Sequence, residues 1–130
     1  MTIDFFEQLK ANTARHPEHL AFQILGYKGR ESYTYTQVID EVSRIGSYLQ
    51  QLGLGPGDTV GILMENHPRW GIAFLAAQSV GARIVPFDIL HLSETLASLI
   101  QHSECKFLIS SAEVLPKLEE IQGQLPERLP

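Results

Sequence analysis

The chain has 130 residues, 44% of them apolar and 19% charged, a composition typical of a globular domain that can bury a core. Its net charge is −5 and its ten Lys and Arg residues are scattered, unlike the clustered basic residues of a nucleic-acid binder. The acidic N terminus argues against a secretory signal. The most apolar segment, 71–87, is interrupted by Gln78, Arg83 and Pro86, so we expect no transmembrane helix.

The first third of the chain predicts a helix followed by a β-hairpin. Apolar residues at helical spacing indicate a helix over 3–14, which ends before Pro17 because proline disfavours helical geometry in the preceding residue. Two β-like runs, 21–25 and 31–34, are joined by Gly26-Tyr-Lys-Gly29, a spacing typical of a hairpin with a glycine-assisted turn.

An amphipathic helix is predicted next. Thr34 and Gln37 form the pattern of a capping box, in which side chain and backbone cap each other at a helix start. An apolar stripe follows at helical spacing, and Gly53 stands where a helix commonly ends in a left-handed residue. The stripe comprises Val38, Val42, Ile45, Leu49 and Leu52.

Three apolar runs at nearly equal spacing, 59–64, 83–87 and 106–110, predict strands. They do not alternate between apolar and polar residues, as expected for parallel strands that helices cover on both faces. Strands and helices alternating in this order predict an α/β fold, a layered and mostly parallel sheet flanked by helices with right-handed crossovers.

The helix between the first two strands, over 68–80, is apolar around most of its circumference and should be largely buried. Asn66 or His67 can cap its start, Pro68 suits its first turn and Gly81 ends it.

Two further helices are predicted. Ser93 can cap the first, and the second covers about 113–122 with Pro116 in its first turn. Their apolar faces comprise Leu96, Leu99 and Ile100 in the first and Leu115, Leu118 and Ile121 in the second.

The glycine-rich run 52–60 has the composition of a phosphate-binding loop but the wrong order. In a dinucleotide fold the glycines follow a strand and open a helix, whereas these close a helix and precede a strand. Pro56 also removes one N–H from the loop, and no Gly-Lys-Ser/Thr completes a P-loop. We interpret the run as a helix stop plus a tight turn.

Polar side chains follow two successive predicted strands. Glu65 and Asn66 come after the first strand and Asp88 after the second, and ligands of open α/β sheets bind at that edge. A structural interpretation is the one we favour, in which Asn66 caps a helix and Asp88 organises a loop.

The other reactive residues form no catalytic or metal-binding pattern. His16 and His19 straddle Pro17, which spoils helical pairing of their rings. The single cysteine, Cys105, excludes an internal disulfide, is consistent with the cytoplasm, and is interpreted as a small apolar residue beside a strand. We interpret His67, His91 and His102 as surface or capping residues, and Glu119-Glu120 as a solvated helix face.

A series of short motifs occurs along the chain in a specific order and spacing: Tyr33-Thr34-Tyr35, Gly55-x-Gly57-Asp58-x-Val60, Asn66-x-Pro68-x-Trp70, Ala76-Ala77, Gly81-Ala82, Val85-Pro86-x-Asp88 and the run from Ser98 to Ser111. Together they resemble the N-terminal portion of the adenylate-forming (AMP-binding) enzymes, especially the long-chain fatty acid–CoA ligases. The resemblance spans about 6–120. Ile89 and Ser93 stand where the family commonly has proline.

The resemblance implies an N-terminal subdomain of the acyl-CoA synthetase-like fold and a two-step reaction. A carboxylate attacks the α-phosphate of ATP to give an acyl-adenylate, and the thiol of coenzyme A then displaces AMP, with Mg²⁺ offsetting phosphate charge. The family's phosphate loop, adenine and acyl pockets and catalytic lysine lie further along the chain. The resemblance therefore places no catalytic, cofactor-binding or metal residue within 1–130, and the fragment alone should neither adenylate fatty acids nor bind ATP tightly.

Two alternatives remain at this point. One is a free-standing binding or receiver-like signalling module with Asp88 as phosphoacceptor, although Lys106 lies at the wrong end of its strand. The other is a catalytically dead homologue used for assembly.

The partners expected are the remainder of the same enzyme, its fatty acid and a second copy of the chain. The expected location is the cytoplasm, with peripheral membrane attachment of the full-length enzyme as an alternative.

Overall fold

The computed structural model describes residues 4–26 and 29–125. Within these residues, two small β-sheets are connected and flanked by helices. The elements are α1 (Phe5–Arg15), β1 (Leu20–Gly26), β2 (Gly29–Thr34), α2 (Tyr35–Gln51), β3 (Thr59–Leu63), α3 (Pro68–Ser79), β4 (Arg83–Phe87), α4 (Ser93–Ser103), β5 (Phe107–Ser110) and α5 (Leu115–Glu120), with short 3₁₀ turns at Ala112–Val114 and Gln122–Gln124.

The predicted hairpin is confirmed. β1 and β2 pair antiparallel from Leu20–Thr34 to Gly26–Gly29, with a register irregularity before Phe22. The two residues at the tip of the predicted turn, Tyr27 and Lys28, lie outside the described residues. The hairpin packs on α3 through Phe22, whose ring would lie 3.0 Å from a Cβ placed on Gly71.

The predicted capping box opens α2. The Gln37 N–H donates to the Thr34 hydroxyl at 3.2 Å, and the Thr34 N–H donates to the Gln37 side chain at 2.8 Å. The next two N–H groups, of Tyr35 and Thr36, donate to carbonyls of the loop after α1 at 3.0 and 3.1 Å. The first turn of α2 is therefore capped partly by its own residues and partly by the preceding loop.

The apolar stripe of α2 is confirmed except at its last position. Val38, Val42 and Leu49 are buried, but Leu52 is 40% exposed. α2 ends at Gln51, so Leu52 lies at the C-cap and turns away from the stripe. Leu54 enters the core instead.

The three apolar runs form one parallel sheet in the order β4-β3-β5. Val60 on β3 belongs to a core cluster with α2 and α3, whereas Leu63 belongs to a second cluster with α4 and α5. Helices therefore cover both faces of the central strand, and the predicted α/β architecture is confirmed.

α3 is largely buried, as its composition predicts. His67, one of the two predicted caps, accepts from the Arg69 N–H, so Asn66 is not the cap. Gly81 has a left-handed φ of +81° just beyond the helix, in agreement with its predicted role.

The predictions for the last two helices need three corrections. Ser93 is the first residue of α4 rather than its cap, and its hydroxyl donates to Glu120. Leu99 is 38% exposed because Leu96 and Ile100, four residues apart, define the buried face. The final segment is broken into 3₁₀ and α turns around Pro116, and Leu115 is exposed rather than buried.

No helix within 4–26 or 29–125 combines the length and the apolar character needed to cross a bilayer.

Candidate functional site

The carboxyl ends of the three parallel strands meet at one edge of the sheet. Glu65 follows β3 and Ser111 follows β5, and the Ser111 hydroxyl donates to the Glu65 carboxylate. This hydrogen bond, together with one from the backbone of Glu65 itself, lowers the pKa of Glu65 below its ordinary value of 4.5. The edge therefore carries an ionised carboxylate held in a fixed position.

Asp88 follows β4 at the same edge but serves a loop. Its Oδ1 accepts from the Leu90 N–H at 2.8 Å and its carbonyl accepts from the His91 N–H at 3.3 Å. The structural interpretation of Asp88 is confirmed. No hydrogen bond or ion pair between described residues joins Asp88 to Glu65, and Asn66 is exposed. The sequence therefore placed these residues at the correct edge without placing them in one site.

Four polar side chains from β2 and from the start of α3 meet near this edge, a contact that the sequence does not predict. We call them the Glu31 cluster: Glu31, Tyr33, His67 and Arg69. Glu31 on β2 accepts from the Tyr33 hydroxyl at 2.8 Å and lies 3.0 Å from His67 Nε2. Arg69 Nη2 is 3.8 Å from the same carboxylate. The cluster thus joins the hairpin to the start of α3.

The electrostatics of the Glu31 cluster follow from these contacts. Hydrogen bonds from Tyr33 and His67 lower the pKa of Glu31. Burial, more than any other cause, raises the pKa of Tyr33, and contact with Tyr33 raises that of Arg69. At neutral pH the cluster therefore holds a carboxylate, a neutral phenol and a guanidinium.

A cavity of about 360 Å³ opens beside the Glu31 cluster. Its rim is polar, and Arg44 on the rim pairs with Glu41 at 2.5 Å. Its floor is apolar. The rim consists of Tyr33, Glu41, Arg44 and Arg69, and the floor of Ile45, Met64, Ile72, Ala73 and Ile109. A polar rim over an apolar floor is typical of small ligand pockets, and this volume lies at their lower end.

Most backbone donors of the glycine-rich loop are already bonded within the protein. The N–H groups of Gly53 and Leu54 donate to carbonyls in the last turn of α2 at 2.9 and 3.0 Å. The Gly55 N–H donates to the Asp58 carboxylate at 2.8 Å, and the Asp58 N–H donates to the Gly55 carbonyl at 3.1 Å. Pro56 has no N–H to offer. The Asp58 carboxylate would repel a phosphate, and the bonded N–H groups cannot donate to one. The loop is therefore unsuited to phosphate binding.

The loop also lies at the opposite end of the sheet from Glu65 and Asp88. The Asp58 carbonyl accepts from the N–H of Arg83, at the start of β4, at 2.8 Å. The Lys106 ammonium, just before β5, donates to the Gly53 carbonyl at 2.7 Å. Gly53 and Gly57 have left-handed φ values of +98° and +87°, as a helix end and a tight turn require. The interpretation as helix stop and turn is confirmed.

The remaining candidates stay apart. The rings of His16 and His19 stack with centroids 4.7 Å apart. Cys105 is buried beside β5, as predicted. Among the residues the structure describes, no three His, Cys, Asp or Glu side chains converge as metal ligands would.

The sequence pattern of the AMP-binding enzyme family matches residues 9–129. The chain belongs to this family. The receiver-like alternative is therefore set aside, and Lys106 lies at the end of the sheet away from Asp88, as the sequence indicated.

Two curated relatives illustrate the breadth of the family. The chain is 31% identical over 99 residues to tyrocidine synthase 3 of Brevibacillus parabrevis. The aligned region covers 76% of the chain and 2% of that protein. It is 29% identical over 92 residues to crotonobetaine/carnitine–CoA ligase of Escherichia coli. Here the aligned region covers 71% of the chain and 18% of the ligase. The chain thus spans less than a fifth of either relative.

The fold is also that of solved family structures. The inhibitor-bound N-terminal domain of FACL13 from Mycobacterium tuberculosis superposes with a TM-score of 0.86 at 23% identity, covering 98% of this chain and 31% of that one. The expected N-terminal subdomain of the acyl-CoA synthetase-like fold is confirmed at the level of architecture.

Proposed function

We propose that residues 1–130 are the N-terminal part of the large AMP-binding domain of an ATP-dependent long-chain fatty acid–CoA ligase of fatty acid metabolism. The observation that carries the proposal is the family match over nearly the whole chain, combined with a length of less than a fifth of the relatives compared. The finer choice of a long-chain fatty acid rests on the motif from Asn66 to Trp70, which resembles that branch.

The catalytic groups of such an enzyme would lie outside this chain. ATP, Mg²⁺ and coenzyme A belong to the full-length enzyme, since the glycine-rich loop described above does not fit a phosphate. This part supplies a scaffold whose carboxyl edge faces the remaining domain. We place the enzyme in the cytoplasm, either free or attached peripherally to a membrane.

The two outer edges of the parallel sheet differ, which supports a scaffold that joins the remainder of the enzyme on one side. Arg83 donates its N–H towards β3, so the alternate residues of β4, Ile84 and Pro86, point their backbone outward. Proline at an outward position removes the donor that a further strand would need. The outer edge of β4 is therefore closed to strand addition at Pro86.

The outer edge of β5 is open by the same reasoning. Among the described strands β5 pairs only with β3, and none of its residues, Phe107–Ser110, is a proline, so its outward N–H groups can pair with a further strand. A groove of about 270 Å³ runs beside this edge. It is lined by Leu108, Ser110, Leu115, Leu118, Glu119, Gln122 and Leu125. We infer that the remainder of the enzyme joins the sheet along β5.

The direct test of the fragment is calorimetric titration of the 130-residue chain with ATP and Mg²⁺. We expect no binding in the micromolar range, because the N–H groups of Gly53, Leu54 and Gly55 are already bonded within the protein and the Asp58 carboxylate would repel a phosphate. Micromolar binding would overturn the assignment of the nucleotide site to the rest of the enzyme.

The test of the substrate is carboxylate-dependent exchange of pyrophosphate into ATP by the enzyme that contains this chain. We expect stimulation by long-chain fatty acids and none by amino acids or carnitine. Stimulation by an amino acid would favour adenylation of the kind that the similarity to tyrocidine synthase 3 suggests. No exchange with any carboxylate would favour the non-catalytic homologue.

A further inference from the structure

His67 uses both ring nitrogens at the point where the hairpin meets α3. Its Nδ1 accepts from the Arg69 backbone N–H at 3.1 Å and so caps the helix. Its Nε2 lies 3.0 Å from the Glu31 carboxylate. Because Nδ1 accepts, the single proton of a neutral ring must lie on Nε2, where it is donated to Glu31. Neutral His67 therefore satisfies both contacts at once.

Protonated His67 cannot satisfy both. An imidazolium carries N–H groups at both positions, so its Nδ1–H would point at the Arg69 N–H. Its charge would also lie at the positive end of the α3 dipole. The Glu31 contact, in contrast, becomes a charge-assisted hydrogen bond. Protonation thus opposes one contact of the ring and strengthens the other.

The surrounding charges decide where the protonated ring goes. Glu31 on β2 and Glu65 after β3 attract it, and the Arg69 side chain on α3 repels it. Tyr33 on β2 donates to the same Glu31 carboxylate, and Glu41 on α2 acts electrostatically on Arg69. The attraction comes from the hairpin and the sheet edge, and the repulsion comes from the helix.

We propose that His67 makes the link between the β1–β2 hairpin and α3 an acid-sensitive junction. In the neutral state His67 caps α3 and holds Glu31. On protonation the ring leaves the cap, stays with Glu31 and frees the first turn of α3. Arg69 lies in that turn and on the rim of the 360 Å³ cavity, so loss of the cap also loosens the cavity rim.

The test is an NMR titration of the 130-residue chain from pH 8 to pH 5. We expect the Arg69 amide resonance to titrate together with the His67 ring, and its exchange protection factor to fall about five-fold, the effect of losing a cap of ordinary strength. In His67→Asn, which keeps a capping oxygen but cannot titrate, the Arg69 amide should keep its protection over this range.

The matched control is Glu31→Gln, which removes the hairpin carboxylate and keeps the imidazole. Its Arg69 amide should still titrate, because the cap depends on Nδ1. An Arg69 amide with equal protection at pH 8 and pH 5 in the wild-type chain would overturn the proposal. So would imidazole ¹⁵N shifts at pH 8 that place the proton on Nδ1, a measurement that needs no variant to fold.

Discussion

At the scale of single residues, Gly61 decides how closely the strands pack. It lies at the centre of β3, where an added Cβ would come within 2.5 Å of the Phe87 ring and 2.8 Å of a Leu108 methyl. We expect Gly61→Ala to lower the free energy of unfolding by about 1–3 kcal/mol, because both neighbours must shift within a packed layer. Urea denaturation measures the change.

Gly55→Ala is the matched control for this prediction. Gly55 has no atom within 4 Å of an added Cβ and has no left-handed φ. Its substitution should change stability by less than about 0.5 kcal/mol. Equal losses in the two variants would mean that close packing is not what requires glycine at Gly61.

At the scale of elements, the Ser111–Glu65 hydrogen bond ties the end of β5 to the end of β3. It lowers the pKa of Glu65, so the ionised carboxylate favours the folded state. The stabilisation is present above the ordinary value of 4.5 and is lost as pH falls through the lower folded-state pKa. Ser111→Ala should therefore be less stable than wild type at pH 7.

The pH dependence distinguishes this effect from a simple loss of packing. The difference in unfolding free energy between wild type and Ser111→Ala should shrink as pH falls below 4.5 and through the lower folded-state pKa of Glu65, where the carboxyl becomes protonated. Urea denaturation across this range measures it, with Ser43→Ala on the exposed side of α2 as the control. A constant difference at all pH values would contradict the prediction.

Several features of the helices and strands could be predicted from the sequence. The capping box at Thr34, the strand Arg83–Phe87 and the left-handed Gly53 were predictable because each depends on residues that are neighbours in sequence. Leu52 was misplaced because α2 ends before it, and Leu99 because Leu96 and Ile100, rather than Leu99, face the core.

The Glu31 cluster could not be predicted in the same way. Glu31 and His67 are 36 residues apart, and only the packing of the hairpin on α3 brings them together. Similarly, Glu65 and Asp88 were correctly placed at the carboxyl edge by strand order alone. Their separate partners, Ser111 and the Leu90 N–H, depend on side-chain geometry that the order of strands does not specify.

At the scale of the whole molecule, the open edge of β5 and the groove beside it expose apolar surface, which favours association between copies of the isolated chain. Leu115 lines this groove and is 48% exposed, so a charge can be placed there with little cost to the fold. We expect the wild-type chain to self-associate with increasing concentration, and Leu115→Lys to weaken that association about ten-fold, equivalent to about 1.4 kcal/mol.

Leu25→Lys is the control that distinguishes association through the β5 edge from association through any exposed apolar residue. Leu25 is 74% exposed, but it lies on the hairpin rather than in the β5 groove. Because both variants add one positive charge to an acidic chain, any effect of net charge alone is shared between them. Light scattering should therefore give an unchanged association for Leu25→Lys and a weaker one for Leu115→Lys. A clean monomer at high wild-type concentration, or equal weakening by both substitutions, would contradict a role for the β5 edge.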